Sequence, residues 1–420
     1  MARGTSNIPS KRLILSYIFD WIIIIGIAAV GAGFGVATPY RRHFSLLDLT
    51  ISYPVRKDTV SVTALALVSL VAPGIIIFLV VLIFIPGPTA ARRTPAALFW
   101  RRKLWELNTG WMGLGLSLAT AFLLTNGLKN INGKPRPNTL ARCDPDLANI
   151  AAHYVGGYGQ DISQRWTLVS ASICRNQNMS ALNDAFRSFP SGHSSFSWAG
   201  LMYLTLFLCA KFAIAIPFLP AQSPSQSRAQ PLYEQDISLL PLHRRHGNAS
   251  LDSHKSNVPL GGNREPEQAL SRTETAHMPI RNQAAAPPNW VLVLALIPIG
   301  VALYISSTRF TDFMHFGFDI ISGALIGIAT SWFAFRWYHL PIRQGAGWSW
   351  GARSRDRAFG IGVGVDSYVG PEGWSSKKSD GVADVESGAT NHGTLTGPGL
   401  PDATNGTNGG IEVGGSGRRL

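Results

Sequence analysis

Phe189-Pro190-Ser191-Gly192-His193-Ser194-Ser195 stands immediately before an apolar run reaching Phe218, and the rest of the chain is read outward from it. The stretch combines a hydroxyl, a glycine whose missing Cβ lets its backbone N–H come close to a ligand, and an imidazole able to carry a proton. Those groups suit an anion. By itself, Ser-Gly-His is equally a polar turn opening a helix, with Ser191 or Ser194 as N-cap. The remaining sequence has to decide.

Six windows are long enough to cross a hydrocarbon core, which takes about 20 apolar residues per helix. They are Leu13–Ala37, Val62–Ile85, Leu104–Leu128, Phe196–Phe218, Trp290–Ser307 and Phe316–Tyr338. The first is too long for a signal peptide and lacks a clear small-residue cleavage site, so it reads as a retained anchor. This predicts an all-α integral membrane protein, a six-helix bundle. The formal charge of +13 would suggest nucleic acid in a soluble chain. Here the cations flank spans, and no basic motif interleaved with aromatics is present, so no nucleic-acid partner is expected.

The basic leader 1–12 and the cations Arg92, Arg93, Arg101, Arg102 and Lys103 place the amino terminus and the connection between spans two and three in the cytosol. Pro73-Gly74 reads as a tolerated kink in span two. Residues 13–219 and 289–340 form the membrane core, with a hydrophilic loop at 129–190. The insert 220–288 and the tail 341–420 lack hydrophobic periodicity and are expected to be disordered and cytosolic. Cys143 and Cys174 share the 129–190 loop and can bridge if it faces an oxidising compartment. Cys209 lies in an apolar span, and no cysteine spacing suggests a metal site.

Two more stretches carry chemistry. Lys129, Lys134 and Arg136-Pro137 follow span three, where converging cations would clamp a phosphate. Arg309, His315 and Asp319 occupy the turn into span six. His315 and Asp319 are four apart, so on a helix they share a face, and the carboxylate can hold one ring nitrogen while the other points outward. Between Lys129 and His193 the chain does not cross the bilayer, and between His193 and Arg309 it crosses twice. All three stretches therefore face one side, which is lumenal or extracellular if the amino terminus is cytosolic. Lys129, Arg136 and Arg309 supply charge, Ser191 and the Gly192 N–H supply donors, and His193 and His315 supply a proton carrier and a nucleophile. That set suits phosphoryl transfer without a metal or other cofactor.

Lys129-x6-Arg136-Pro137, Pro190-Ser191-Gly192-His193 and Arg309-x5-His315-x3-Asp319 resemble the three-part signature of the type 2 phosphatidic acid phosphatase family, the lipid phosphate phosphatases. The Arg41 to Pro54 connection and Arg187-Ser188-Phe189 are similar to the fungal diacylglycerol pyrophosphate and phosphatidate phosphatases in particular. The resemblance covers roughly residues 13–340 without the insert. It implies the helical fold of the phosphatase and haloperoxidase-like class, in an endomembrane such as vacuole, Golgi or endoplasmic reticulum. It also implies a phospholipid substrate drawn from the bilayer: phosphatidate, diacylglycerol pyrophosphate or lysophosphatidate. On this resemblance His315 attacks phosphorus, Asp319 orients it, His193 protonates the leaving alkoxide and then activates water, and Lys129, Arg136, Ser191, Gly192 and Arg309 hold the phosphoryl oxygens. No metal is implied. Thr308 stands where a serine is common, and Phe316 where many members have a second histidine. The alternatives are a phosphatase for a sphingoid-base or polyprenyl phosphate, and a non-catalytic lipid-binding or transport protein, against which the intact histidine pair argues.

Overall fold

A long apolar run has no water to satisfy its backbone inside a bilayer, so each run must close its hydrogen bonds internally as a helix. The computed structural model describes residues 9–87, 95–163, 166–217, 285–343, 347–363 and 367–369. The long helices are α1 (Lys11–Val36), α2 (Val62–Phe84), α3 (Ala96–Asn132), α6 (Gly192–Lys211), α7 (Asn289–Thr311) and α8 (Gly317–Tyr338). Between α3 and α6 lie two short helices, α4 (Thr139–Cys143) and α5 (Met179–Ala185), and an antiparallel pair, β1 (Tyr154–Gly156) with β2 (Leu168–Val169).

Helices α1, α2, α3, α7 and α8 are long and apolar enough to cross a membrane, which makes the chain a membrane protein. The remaining expected span, α6, is not among them by composition. At 20 residues it is about 30 Å long by helical rise, enough for a hydrocarbon core. Its position explains its polarity: it packs against α2, α3, α7 and α8. Ser194, Ser195, Ser197 and Thr205 on it are buried and hydrogen-bonded. A helix shielded by its neighbours needs less lipid-facing apolar surface than one on the rim.

The main apolar core joins Ile77, Val80 and Val81 of α2, Leu114 and Leu118 of α3, Tyr203, Leu204 and Phe207 of α6, and Phe335 of α8. Pro73 in α2 has no N–H to give the carbonyl four residues earlier, and Leu67–Val71 adopts a π turn just ahead of it. That carbonyl, Ser69 O, presses on Gly200, where a Cβ would lie only 1.9 Å away. Only glycine lets α2 and α6 approach so closely. Gly323 plays the same part between α8 and α6, since a Cβ there would sit 2.5 Å from Ser191 O. Here the close approach brings the second and third motifs side by side.

The segment between α3 and α6 builds a cap with its own apolar centre, in which Phe44 and Ile51 from the α1–α2 connection meet Val169, Ile173, Leu182 and Phe186. A disulfide joins Cys143 to Cys174 within it. At the opposite end of the bundle the chain stays packed beyond residue 340, where disorder was expected. Trp350 N donates to Tyr338 O over 2.9 Å, and His339 pairs with Ser349. Helix α3 also starts earlier than expected and carries Arg101, Arg102 and Lys103. Arg92, Arg93, most of the insert (218–284) and the tail from 370 onward lie outside the described residues. By its contacts the chain divides into Leu15–Gly351 and a second unit of Met1–Ile14 with Ala352–Leu420. In that second unit Ser354 N donates to Tyr368 O over 2.9 Å.

Candidate active site

The site grows from three chain turns that helix ends bring together. Ser191 caps α6, so the free N–H groups of its first turn and the positive end of its dipole lie beside Gly192 and His193. Lys129 comes from the last turn of α3 and lies so close that a Cβ on Gly192 would be 2.9 Å from its Nζ. Arg309 ends α7, and His315 stands on the turn into α8. A cavity of about 440 Å³ is lined by Lys129, Arg136, Gly192, His193, Arg309 and His315. Asp58, Asp184 and the apolar side chains Val62, Leu65, Phe122 and Phe196 line it as well.

His315 is fixed by two partners whose roles leave no choice of tautomer. Its Nδ1 lies 2.6 Å from the carbonyl of Ser188, which can only accept, so Nδ1 carries the proton. Its Nε2 lies 3.3 Å from Arg136 Nη1, which can only donate, so Nε2 keeps its lone pair. Burial, and then the charges of Arg136, Lys129 and Arg309, hold the imidazole pKa well below its ordinary value. The ring is neutral and its unprotonated nitrogen faces the cations.

Arg136 is anchored on its other side by Asp184, through Nε to the backbone carbonyl at 2.7 Å and Nη2 to the carboxylate at 2.7 Å. Arg142 binds the second Asp184 oxygen at 2.8 Å. Burial alone would raise the Asp184 carboxyl, but the two guanidiniums outweigh it and lower it below the usual range. His193 Nε2 lies 3.0 Å from Val60 O, which places a proton on Nε2 and leaves Nδ1 free to exchange one.

Asp319 does not hold His315, contrary to the spacing argument. The helix starts only at Gly317, with Phe316 as its cap and Phe313 at φ +55°, so His315 lies before the helix and the four-residue rule does not apply. The Asp319 carboxylate turns back instead. It accepts from Ser188 Oγ at 2.6 Å, Phe316 N at 3.2 Å and Lys134 Nζ at 2.8 Å. Asp319 therefore reaches His315 at one remove, by fixing the residue whose carbonyl holds the ring. Ser191 is likewise behind the cavity rather than on its wall, fully buried, with its N–H on Asp319 O at 2.9 Å.

Asp58, Asp184 and Ser188 went unassigned in the sequence. Ser188 lies next to the central motif and could have been found there, whereas Asp58 and Asp184 carry no spacing signal. Among the described residues no group of three or more His, Cys, Asp or Glu side chains could hold a metal ion.

The cleft thus collects three cations around two imidazoles at one end of the helical bundle, a set suited to binding phosphate. The sequence profile of the PAP2 superfamily matches residues 110–229 and 267–343 of the chain. It is 25% identical over 325 residues to the probable diacylglycerol pyrophosphate phosphatase 1 of Schizosaccharomyces pombe, covering 77% of this chain and 81% of that one. It is 32% identical over 206 residues to diacylglycerol pyrophosphate phosphatase 1 of Saccharomyces cerevisiae, covering 49% of this chain and 58% of that one. To the probable lipid phosphate phosphatase 4 of Arabidopsis thaliana it is 25% identical over 224 residues, covering 50% and 59%. The chain thus spans little more than half the length of the last two. No solved structure matches it.

Proposed function

We propose that the chain is a lipid phosphate phosphatase that hydrolyses phosphatidate, diacylglycerol pyrophosphate or lysophosphatidate through a phosphohistidine on His315, without a metal. The observation that carries this is the tautomer of His315, fixed between Ser188 O and Arg136 so that Nε2 presents its lone pair among Lys129, Arg136 and Arg309. In the first step Nε2 of His315 bonds to phosphorus as the bond from phosphorus to the leaving oxygen breaks, and His193, entering the step protonated on both ring nitrogens, gives its Nδ1 proton to that oxygen. In the second, water attacks phosphorus, His193 takes its proton, and the P–N bond breaks to release phosphate. The three cations and the α6 N-terminus offset the charge on the transferring group, the contribution that dominates such reactions.

The apolar side chains Val62, Leu65, Phe122 and Phe196 line the same cavity as the cations, which suits an amphiphile whose phosphate meets the cations at the headgroup level. With a cytosolic amino terminus the site faces the lumen or exterior of an endomembrane. The test is phosphate release from phosphatidate in detergent micelles with chelator and no added divalent ion. Wild type is expected to turn over and His315→Ala to be inactive, and turnover by His315→Ala would sink the mechanism.

A further inference from the structure

Residues 53–60 of the α1–α2 connection lie outside the three-part signature, yet they are fastened to the site at several points. Tyr53 N donates to Pro137 O over 3.0 Å, and its ring stacks on Phe313 with centroids 4.6 Å apart. The Arg56 guanidinium also lies 4.6 Å from the Phe313 ring. Thr59 gives its N–H and its hydroxyl to the two oxygens of Asp312, over 2.9 and 2.7 Å. Val60 O takes His193 Nε2. Held between these anchors, the Asp58 carboxylate sits 2.9 Å from Arg309 Nη2. A fixed backbone delivers it there.

Arg309 is 1% exposed and cannot move into solvent, whereas Asp58 is 33% exposed and can. Arg309 Nη1 reaches Asp312 at 3.4 Å, and its buried Nε has no partner among the described residues. The Nε and Nη2 donors of a guanidinium form one edge, the one that grips an oxyanion through two parallel bonds. Asp58 takes one donor of that edge and leaves the other idle. We infer that Asp58 is a carboxylate built into the site as a competitor for phosphate: it holds the Arg309 edge at rest, yields it to a phosphoryl group, and returns when phosphate leaves.

The strap itself need not move, because Asp312 keeps Thr59 in place while the Asp58 side chain swings. A displaced Asp58 stays near the bound phosphate as a like charge, which disfavours retention of the product. The site's affinity for phosphate is then lower than its cations alone would give, and product release is faster. This inference rests on the reading of the cavity as a phosphate site.

The test is calorimetric titration of the detergent-solubilised full chain with inorganic phosphate. Asp58→Asn keeps the size of the side chain and removes its charge, and Asp58→Ser removes the carboxylate by a different route. Both are expected to bind phosphate about tenfold more tightly than wild type, the scale of one charge-assisted hydrogen bond no longer competing. In turnover assays phosphate should inhibit both variants at correspondingly lower concentration. Unchanged or weaker phosphate binding in the variants overturns the inference, since it would mean that Asp58 serves only to aim Arg309. Because calorimetry needs no turnover, a wild type that binds phosphate but releases none from phosphatidate would defeat the phosphatase reading and leave this one standing.

Discussion

The bundle carries buried charge at both ends, and the two ends are built to opposite purposes. At the far end Lys211 of α6 pairs with Glu106 of α3, both nearly inaccessible, and the second Glu106 oxygen takes the N–H and hydroxyl of Ser349 over 3.0 and 2.8 Å. Both charges of that pair are matched by neighbours. At the motif end Arg309 has an idle Nε, Lys129 and His193 border empty space, and His315 presents a lone pair. Buried charge alone therefore does not mark a reactive centre. What marks it is unused hydrogen-bonding capacity on residues that line a cavity large enough for a ligand.

That contrast breaks if substitutions at the two ends have the same kind of effect. The largest difference is expected from His315→Ala against Lys211→Met, compared by turnover and by thermal unfolding in the same detergent. The first should abolish phosphate release with little loss of stability. The second strands the Glu106 carboxylate in the interior and should cost about 3 kcal/mol or more in stability, with turnover of the surviving folded protein within about twofold of wild type. Equal catalytic losses would show that the far end belongs to the active site. Next in size is Arg136→Ala, which removes a donor to the transferring group and a partner of His315. A loss of about a hundredfold or more in kcat is expected. Arg136→Lys should recover little of it, because a single ammonium cannot serve Asp184 and His315 at once.

The helices and the three motifs were legible because both leave local marks: long apolar runs, and cations or imidazoles beside their ends. The way those motifs interlock was not. The spacing of His315 and Asp319 suggested a direct contact, but that argument assumes a helix under both residues, and the turn at Phe313 places His315 outside it. An aspartate in a first helical turn is drawn to free N–H groups, so Asp319 caps its own helix and grips Ser188 instead. Asp58 was invisible for a different reason. Its partner Arg309 is 251 residues away, and only packing brings them together. The packed segment 347–351 was missed because a few residues pinned by Glu106 have no periodicity to read.

The cap offers a smaller test of how far the two regions are independent. Cys143 and Cys174 close a loop with a sequence separation of 31, tying the end of α4 to the chain just after Ile173 beside the apolar centre at Val169 and Ile173. Cys143→Ser is expected to lower stability by about 3 kcal/mol through the freed chain. If the cap unfolds separately, the loss should appear as earlier hydrogen exchange at residues 139–185 with the α6 and α8 amides unchanged. Uniform loss of protection through the bundle would show one cooperative unit.

The smallest effect expected concerns protons. Among the described residues two histidines are buried, one at each end: His315, with a partner on each ring nitrogen, and His339, whose ring nitrogens have no hydrogen-bond partner and whose ring stacks on Phe335 at 4.9 Å. The pKa of His315 is depressed in the folded state, so below about pH 6.5 the unfolded chain takes up a proton that the folded chain refuses. Stability contributed by this group is present above that pH and falls as pH drops toward the folded-state value, by at most about 1.4 kcal/mol per pH unit. Melts at pH 7.5, 6.5 and 5.5 should therefore show acid destabilisation, and His315→Gln should flatten it. His339→Phe should flatten it as well while leaving turnover intact, because a ring that makes no hydrogen bond loses nothing when replaced by an apolar one of similar shape. If His339→Phe instead slows turnover, protonation at the far end is coupled to the chemistry, and the division between the two ends fails.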